Sequence, residues 1–205
     1  MVLVNLNELP MERILLYAVD VLKTGGIVAY PTETFYAIGA KFDREESLQR
    51  IYRLKQRPQE KAMPLIVGSR ELLTMVADAV NRTAEILMER FWPGPLTLIL
   101  PAKRELSFFL TAGTGKVAVR IPGQSCALHL ARAAGFPFTA TSANISGMPP
   151  ALNAKTVIEY FHGGIDLIID GGSTPGGLPS TIAEVTDESV KVLREGIIKT
   201  DLLHV

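Results

Sequence analysis

Five cations fall within twelve residues, Arg50, Arg53, Lys55, Arg57 and Lys61, with Glu60 the single opposing charge. Lys55 and Arg57 straddle the expected end of a helix. From there they project into the following loop, where a planar fork and a point charge can grip phosphate oxygens. The alternative is a solvated helix face whose C-terminal cations match the macrodipole. A second candidate is Thr139-Ala140-Thr141-Ser142-Ala143-Asn144-Ile145-Ser146-Gly147. Small and hydroxylated residues directly after an apolar strand leave backbone N–H groups free for an anion or nucleotide. A plain Ser/Asn turn fits the same residues. Arg120 lies inside the apolar run Val117-Ala118-Val119-Arg120-Ile121-Pro122. A charge flanked by core residues needs an anionic partner, either a structural carboxylate or that of a ligand. The glycine-dense stretch from Gly171 to Thr181 reads as a closing lid or as a surface loop.

Several familiar devices are missing. Gly113-Thr114-Gly115-Lys116 ends like a phosphate loop, but Leu110 stands at its first glycine and Val117 replaces the magnesium-binding hydroxyl. No G-x-G-x-x-G follows the first strand, and no G-x-S-x-G elbow occurs. Cys126 is the lone cysteine, and His129, His162 and His204 have no metal-ligand spacing.

Short strands alternate with helical periodicity along the chain. Pro10 opens a helix whose apolar face is Ile14, Leu15, Ala18, Val21 and Leu22; Gly25-Gly26 stops it, and Ile27–Tyr30 is a buried strand. Asp43 and Glu46 have the spacing of a cap and its N3 partner for a helix ending before Pro58. Pro64–Val67 is the next strand. Ser69 is placed to cap a helix running to about Val80, and another helix covers Thr83 to Phe91. Strands are expected over Leu96–Leu100, Val117–Ile121, Phe138–Thr141, Leu167–Asp170, Thr181–Val185 and Val190–Leu193, with helices over 125–134 and 154–162. The closing strands leave no room for a helix between them, so some pairing must be antiparallel and the sheet mixed.

The 205 residues carry 21 basic and 21 acidic side chains and are 47% hydrophobic. That balance excludes general disorder and a purely electrostatic nucleic-acid binder. No apolar run reaches the roughly 18–20 residues of a membrane span, and the N-terminus lacks signal-peptide character. The expectation is one cytoplasmic α/β domain over residues 1–205.

In order along the chain stand Tyr30-Pro31-Thr32-Glu33-Thr34, Lys55-Gln56-Arg57-Pro58, Trp92-Pro93-Gly94-Pro95-Leu96-Thr97, Val119-Arg120-Ile121-Pro122, Ser142-Ala143-Asn144, Pro179-Ser180-Thr181 and Leu193-Arg194-Glu195-Gly196. Together they closely resemble the YrdC family of threonylcarbamoyl-AMP synthases, from about Gly25 to Gly196. The resemblance implies a twisted mixed parallel/antiparallel sheet with surrounding helices and a large concave basic cavity. It implies condensation of L-threonine, bicarbonate and ATP, with magnesium, into threonylcarbamoyl-adenylate and pyrophosphate. A partner transferase complex would then pass the group to tRNA. By the same resemblance Lys55, Arg57, Ser142 and Asn144 are catalytic and, with Lys61, Ala140 and Arg194, bind ATP; Thr34, Arg120 and Ser180 bind threonine; no protein metal ligand is implied. Gly68 stands where many such proteins have histidine, and the C-terminal domain some relatives carry is not expected here. Other readings are an RNA-binding module of the same fold, recognising double-stranded RNA or tRNA by shape and charge, and a carbamoyl-transfer homologue resembling part of the hydrogenase-maturation proteins.

Overall fold

A computed structural model describes residues 1–186 and 189–204. Eleven strands and six α-helices alternate in the described residues: β1 Val2–Asn5, α1 Met11–Lys23, β2 Val28–Pro31, β3 Tyr36–Gly39, α2 Glu45–Lys55, β4 Leu65–Ile66, α3 Arg82–Phe91, β5 Leu96–Pro101, α4 Phe108–Thr111, β6 Lys116–Arg120, α5 Cys126–Ala134, β7 Phe138–Thr139, β8 Thr141–Ser142, α6 Ala154–Phe161, β9 Leu167–Asp170, β10 Thr181–Val185 and β11 Val190–Arg194. They form a five-stranded sheet ordered β1-β9-β2-β3-β8 and a six-stranded sheet ordered β11-β10-β5-β6-β4-β7. Both are mixed. In the first, β2 runs parallel to β9 and antiparallel to β3; in the second, β5 runs parallel to β10 and antiparallel to β6.

The stretch expected as one strand over Phe138–Thr141 joins the two sheets. Phe138 and Thr139 pair with β4, whereas Thr141 and Ser142 pair with β3. At the crossing, the Ala140 N–H donates to the Pro64 carbonyl at 2.9 Å. Gly39 makes the crossing possible: a Cβ there would lie 2.5 Å from the Thr139 carbonyl oxygen, inside contact distance. Buried side chains then form two clusters. Ile27, Ile38, Leu65, Leu98 and Val119 belong to the larger, and Val28, Tyr30, Ile66, Leu130 and Phe138 to the smaller. Residues of opposite parity on one strand, such as Leu65 and Ile66, thus feed opposite layers, as strand geometry requires.

Two expected helices differ. Asp43 does not cap α2, because its carboxylate accepts from Lys41 Nζ at 2.5 Å and the helix begins at Glu45 without a side-chain cap. The helix expected from Ser69 to Val80 is a short 3₁₀ turn, Glu71–Met75. Beyond it the backbone is committed sideways: Asp78 N–H donates to the Pro101 carbonyl, and Lys103 N–H to the Val76 carbonyl. Two short strands, β1 and β3, were also not expected. Each is four residues long, and β3 is buried throughout, so neither shows alternation.

Gly68 has a clear packing reason. A Cβ there would lie 2.4 Å from the Ala131 carbonyl oxygen and 2.7 Å from Arg132 Cα, so the chain after β4 crosses the backbone of α5 where no side chain fits. Gly68→Ala is therefore expected to lower the urea midpoint by an amount equivalent to about 1–3 kcal/mol, as overpacking does. An unchanged midpoint would show that β4 and α5 can separate freely.

Candidate functional site

Each candidate residue sits at or just beyond the end of an element. β2 runs into Thr32-Glu33-Thr34, α2 ends at Lys55, β6 ends at Arg120 and β8 at Ser142. Parallel and mixed sheets gather ligands at such strand ends, where loops diverge and backbone groups are free.

The first group is organised by Lys55. Although it occupies the last turn of α2, only 2% of the residue is exposed. Its Nζ donates to the Ser142 carbonyl, to the Asn144 carbonyl at 2.7 Å and to Asn144 Oδ1 at 3.2 Å. Burial, with a smaller push from the Arg57 charge, draws its pKa down to about 7. The loop is tied further. Ser142 Oγ donates to Asn144 Oδ1 at 2.5 Å, and Asn144 Nδ2 donates to the Ile145 and Met148 carbonyls at 3.0 and 2.7 Å. The Ser146 N–H donates to the Lys55 carbonyl at 2.8 Å, so side chain and backbone of the same lysine hold both ends of the turn.

Arg57 shapes the next loop in a similar way. Its Nε donates to the Lys61 carbonyl at 2.8 Å and its Nη2 to the Ala62 carbonyl at 2.7 Å, while the guanidinium lies 5.9 Å from the centre of the Tyr52 ring. Lys61 enters this arrangement through its carbonyl, and its ammonium end points outward on an exposed residue. Sequence spacing has Lys55 and Arg57 straddling a helix end and projecting into the following loop, or lying on a solvated face. In the fold Lys55 is buried against the Ser142 and Asn144 carbonyls, and Arg57 braces the loop at Lys61 and Ala62.

The second group gathers Arg120, Ser180 and Arg194, with Thr34 on the neighbouring loop. Arg120 pairs with Glu33, and these side chains are only 11% and 17% exposed. Ser180 Oγ lies 3.0 Å from Thr97 Oγ1, and Arg194 donates to the Ser180 carbonyl from Nη2 at 2.8 Å and to its Oγ at 3.3 Å. The register of the second sheet sets Arg194 opposite Ile182 and Ile182 opposite Thr97, with Arg120 one residue beyond the Leu98–Val119 pair, so both arginines belong to one row across β11, β10, β5 and β6. Partial burial and then the positive charge of Arg120 lower the Arg194 pKa, and Arg194 hydrogen-bonds Ser180. Gly196 permits this contact, since a Cβ there would lie 2.1 Å from the Pro179 carbonyl oxygen.

The glycine-dense segment is anchored by hydrogen bonds to the Thr34 loop, to Leu152 and to Tyr36. Gly176 N–H donates to the Thr34 carbonyl at 2.8 Å, and Thr174 N–H to the Leu152 carbonyl at 2.8 Å. The Tyr36 hydroxyl donates to the Gly172 carbonyl at 2.8 Å and accepts from Gly171 N–H at 3.1 Å; burial pushes its pKa up to about 12, keeping the donor protonated. Glu33, Tyr36 and Thr97 were not singled out by spacing. The signal for Glu33 was Arg120 itself, a cation in an apolar strand that required a carboxylate.

Two larger hollows lie elsewhere. The roomier, about 570 Å³, is bordered by Val80, Asn81, Leu100, Gly115, Lys116 and Glu184. The other, about 450 Å³, lies beside Leu73, Val80 and Met88. Neither includes a residue of the two polar groups.

With this geometry in hand, the comparisons are direct. The Sua5/YciO/YrdC family model, described as telomere recombination, matches residues 20–196, and the chain belongs to that family. It is 39% identical over 195 residues to a threonylcarbamoyl-AMP synthase of Pyrococcus abyssi (strain GE5 / Orsay), covering 95% of this chain and 57% of that protein. Its fold matches the crystal structure of P. abyssi Sua5 complexed with L-threonine at TM-score 0.88 and 38% identity, over 96% of this chain and 58% of the other. It matches E. coli YciO at TM-score 0.85 and 27% identity, over 99% of this chain and 98% of that one. The chain thus spans little more than half the length of the P. abyssi proteins and nearly the whole of YciO.

Removing the Lys55 ammonium should free the 142–148 turn. In Lys55→Met the abandoned acceptors cost about 1–3 kcal/mol, and hydrogen exchange of peptides covering 142–148 should accelerate at least tenfold while α1 and α5 stay protected. Equal protection in both proteins would show that the lysine does not hold the loop.

Proposed function

We propose that this chain makes threonylcarbamoyl-AMP and pyrophosphate from L-threonine, bicarbonate and ATP. The observation that carries the reading is the pair of polar stations at neighbouring strand ends. One is a loop braced by Lys55 that carries the Ser142 hydroxyl and the Ile145 and Gly147 N–H groups; the other is a corner where strand register brings Arg120 and Arg194 to the paired Ser180 and Thr97 hydroxyls. Similarity to the synthase of P. abyssi supports it.

On this reading the triphosphate lies against the 142–148 turn and the Arg57–Lys61 loop. Lys55, Ser142 and Asn144 fix the turn, so the Ile145 and Gly147 N–H groups, which make no hydrogen bond among the described residues, are held for the nucleotide, with Ala140 preceding the turn at the sheet crossing. Arg120 and Arg194 receive the threonine carboxylate, with the Ser180 and Thr34 hydroxyls near its side chain. The threonine amine takes up bicarbonate-derived carbon dioxide to form a carbamate. A carbamate oxygen then attacks the α-phosphorus and pyrophosphate leaves. Three anionic groups must approach one another, so the catalytic need is neutralisation and positioning; no protein nucleophile is required. Magnesium is expected to accompany ATP. Among the described residues no three His, Cys, Asp or Glu side chains group as a metal cage, so its ligands would be phosphate oxygens.

Among the described residues, no helix is long and apolar enough to cross a membrane. The product, a mixed anhydride, would serve a transferase that modifies tRNA, in keeping with a cytoplasmic location.

Pyrophosphate release from ATP is expected to require both L-threonine and bicarbonate and to proceed without RNA. Release that is indifferent to threonine, or absent until RNA is added, would contradict the reading. Arg57→Ala releases the Lys61 and Ala62 carbonyls, so the 57–62 loop loosens and turnover should fall about 100-fold, the scale of a lost preorganised electrostatic arrangement; turnover like wild type would remove Arg57 from the site. Arg120→Lys should raise the threonine concentration required, because a point charge cannot replace the two-pronged fork. An unchanged threonine dependence would take Arg120 out of the site.

A further inference from the structure

Glu33 has a charge that the reaction above leaves unused. One of its carboxylate oxygens pairs with Arg120 Nη1, and the other, Oε2, is buried with no hydrogen-bond partner. A buried, half-satisfied carboxylate is costly, and its retention calls for a reason. Its position supplies one. No other hydrogen bond involves the Arg120 side chain among the described residues, so Glu33 occupies one nitrogen of the fork and leaves the rest for a second anion. Arg194 brings another guanidinium to the same region: it pairs with Ile182, which pairs with Thr97, and Arg120 lies one residue beyond the Leu98–Val119 pair, while Arg194 Nη2 lies 3.3 Å from Ser180 Oγ. The Ser180 and Thr97 hydroxyls, 3.0 Å apart, complete the lining.

Two guanidiniums and two hydroxyls, without a carboxylate, would make a good phosphate site. With Glu33 the corner holds two positive charges and one negative, a net single positive charge. That matches a carboxylate, whereas a phosphate dianion would meet the Glu33 charge. On the proposed reading the 142–148 turn takes the phosphates of ATP, so this corner must refuse them.

We propose that Glu33 sets the anion selectivity of the Arg120–Arg194 corner, admitting a carboxylate and rejecting phosphate. This rests on reading the corner as the amino-acid station. Selectivity here comes from repulsion of the wrong anion as much as from attraction of the right one.

Isothermal titration with inorganic phosphate and with L-threonine tests it, using wild type, Glu33→Gln and Glu33→Gln/Arg120→Gln. Glu33→Gln should bind phosphate at least tenfold more tightly than wild type, and phosphate should now displace L-threonine. The gain should vanish in the double variant, which assigns it to Arg120. A purely structural role for Glu33 would instead weaken both ligands together. Phosphate affinity unchanged in Glu33→Gln, or a gain that survives loss of Arg120, would overturn the proposal. The unmodified protein gives a second reading independent of the variant's folding: phosphate should fail to displace bound L-threonine, and displacement would overturn the proposal. If L-threonine binds no variant while phosphate gains in Glu33→Gln, the selectivity stands and the amino-acid reading falls. The opposite pattern leaves that reading intact and removes Glu33.

Discussion

A positive charge buried beneath a turn of backbone carbonyls determines the form of this site. Lys55 Nζ reaches the Ser142 and Asn144 carbonyls and Asn144 Oδ1 from the end of α2. Taking an ammonium out of water is expensive unless acceptors replace the lost hydration. The turn provides three, and in return loses its freedom to collapse or rotate. Because the same turn begins in β8, beside β3, and follows directly from the crossing at Ala140, the lysine couples helix, loop and both sheets at one point. The Ile145 and Gly147 N–H groups of a turn fixed in this way make no hydrogen bond among the described residues and can meet charge without rearranging, which is where preorganised sites gain most.

The cations divide by what they touch. Lys55 and Arg57 hold protein carbonyls and shape two loops. Arg120 and Arg194 converge on the corner where Ser180 and Thr97 present hydroxyls. One set braces loop backbone; the other joins guanidiniums to hydroxyls. The glycine-dense segment is tied through Gly172 to Tyr36 and through Gly176 to Thr34.

Much of this was legible in the residues. Strand Thr181–Val185, which alternates between buried and half-buried positions, and the helices ending at Phe91 and Ala134 follow from apolar patterning. β1 and β3 do not alternate, the first being exposed to half-buried and the second buried throughout, so they escaped it. Arg120 announced its need for a carboxylate, but one dimension could not say that the carboxylate is Glu33. Helix spacing made Lys55 look like part of a solvated face. Its burial depends on a turn 87 residues away and became visible only in three dimensions. Asp43 looked like a cap for the same kind of reason, with Lys41 claiming its carboxylate instead.

Amide chemical-shift mapping with ATP and then L-threonine tests the two-station account most directly. The account predicts that ATP moves the resonances of residues 142–148 and 57–62. L-threonine should then move a separate set that includes Thr34, Arg120, Ser180 and Arg194. Shifts confined to the hollow around Val80, Gly115 and Glu184 for both reagents, with the 142–148 turn undisturbed, would contradict it.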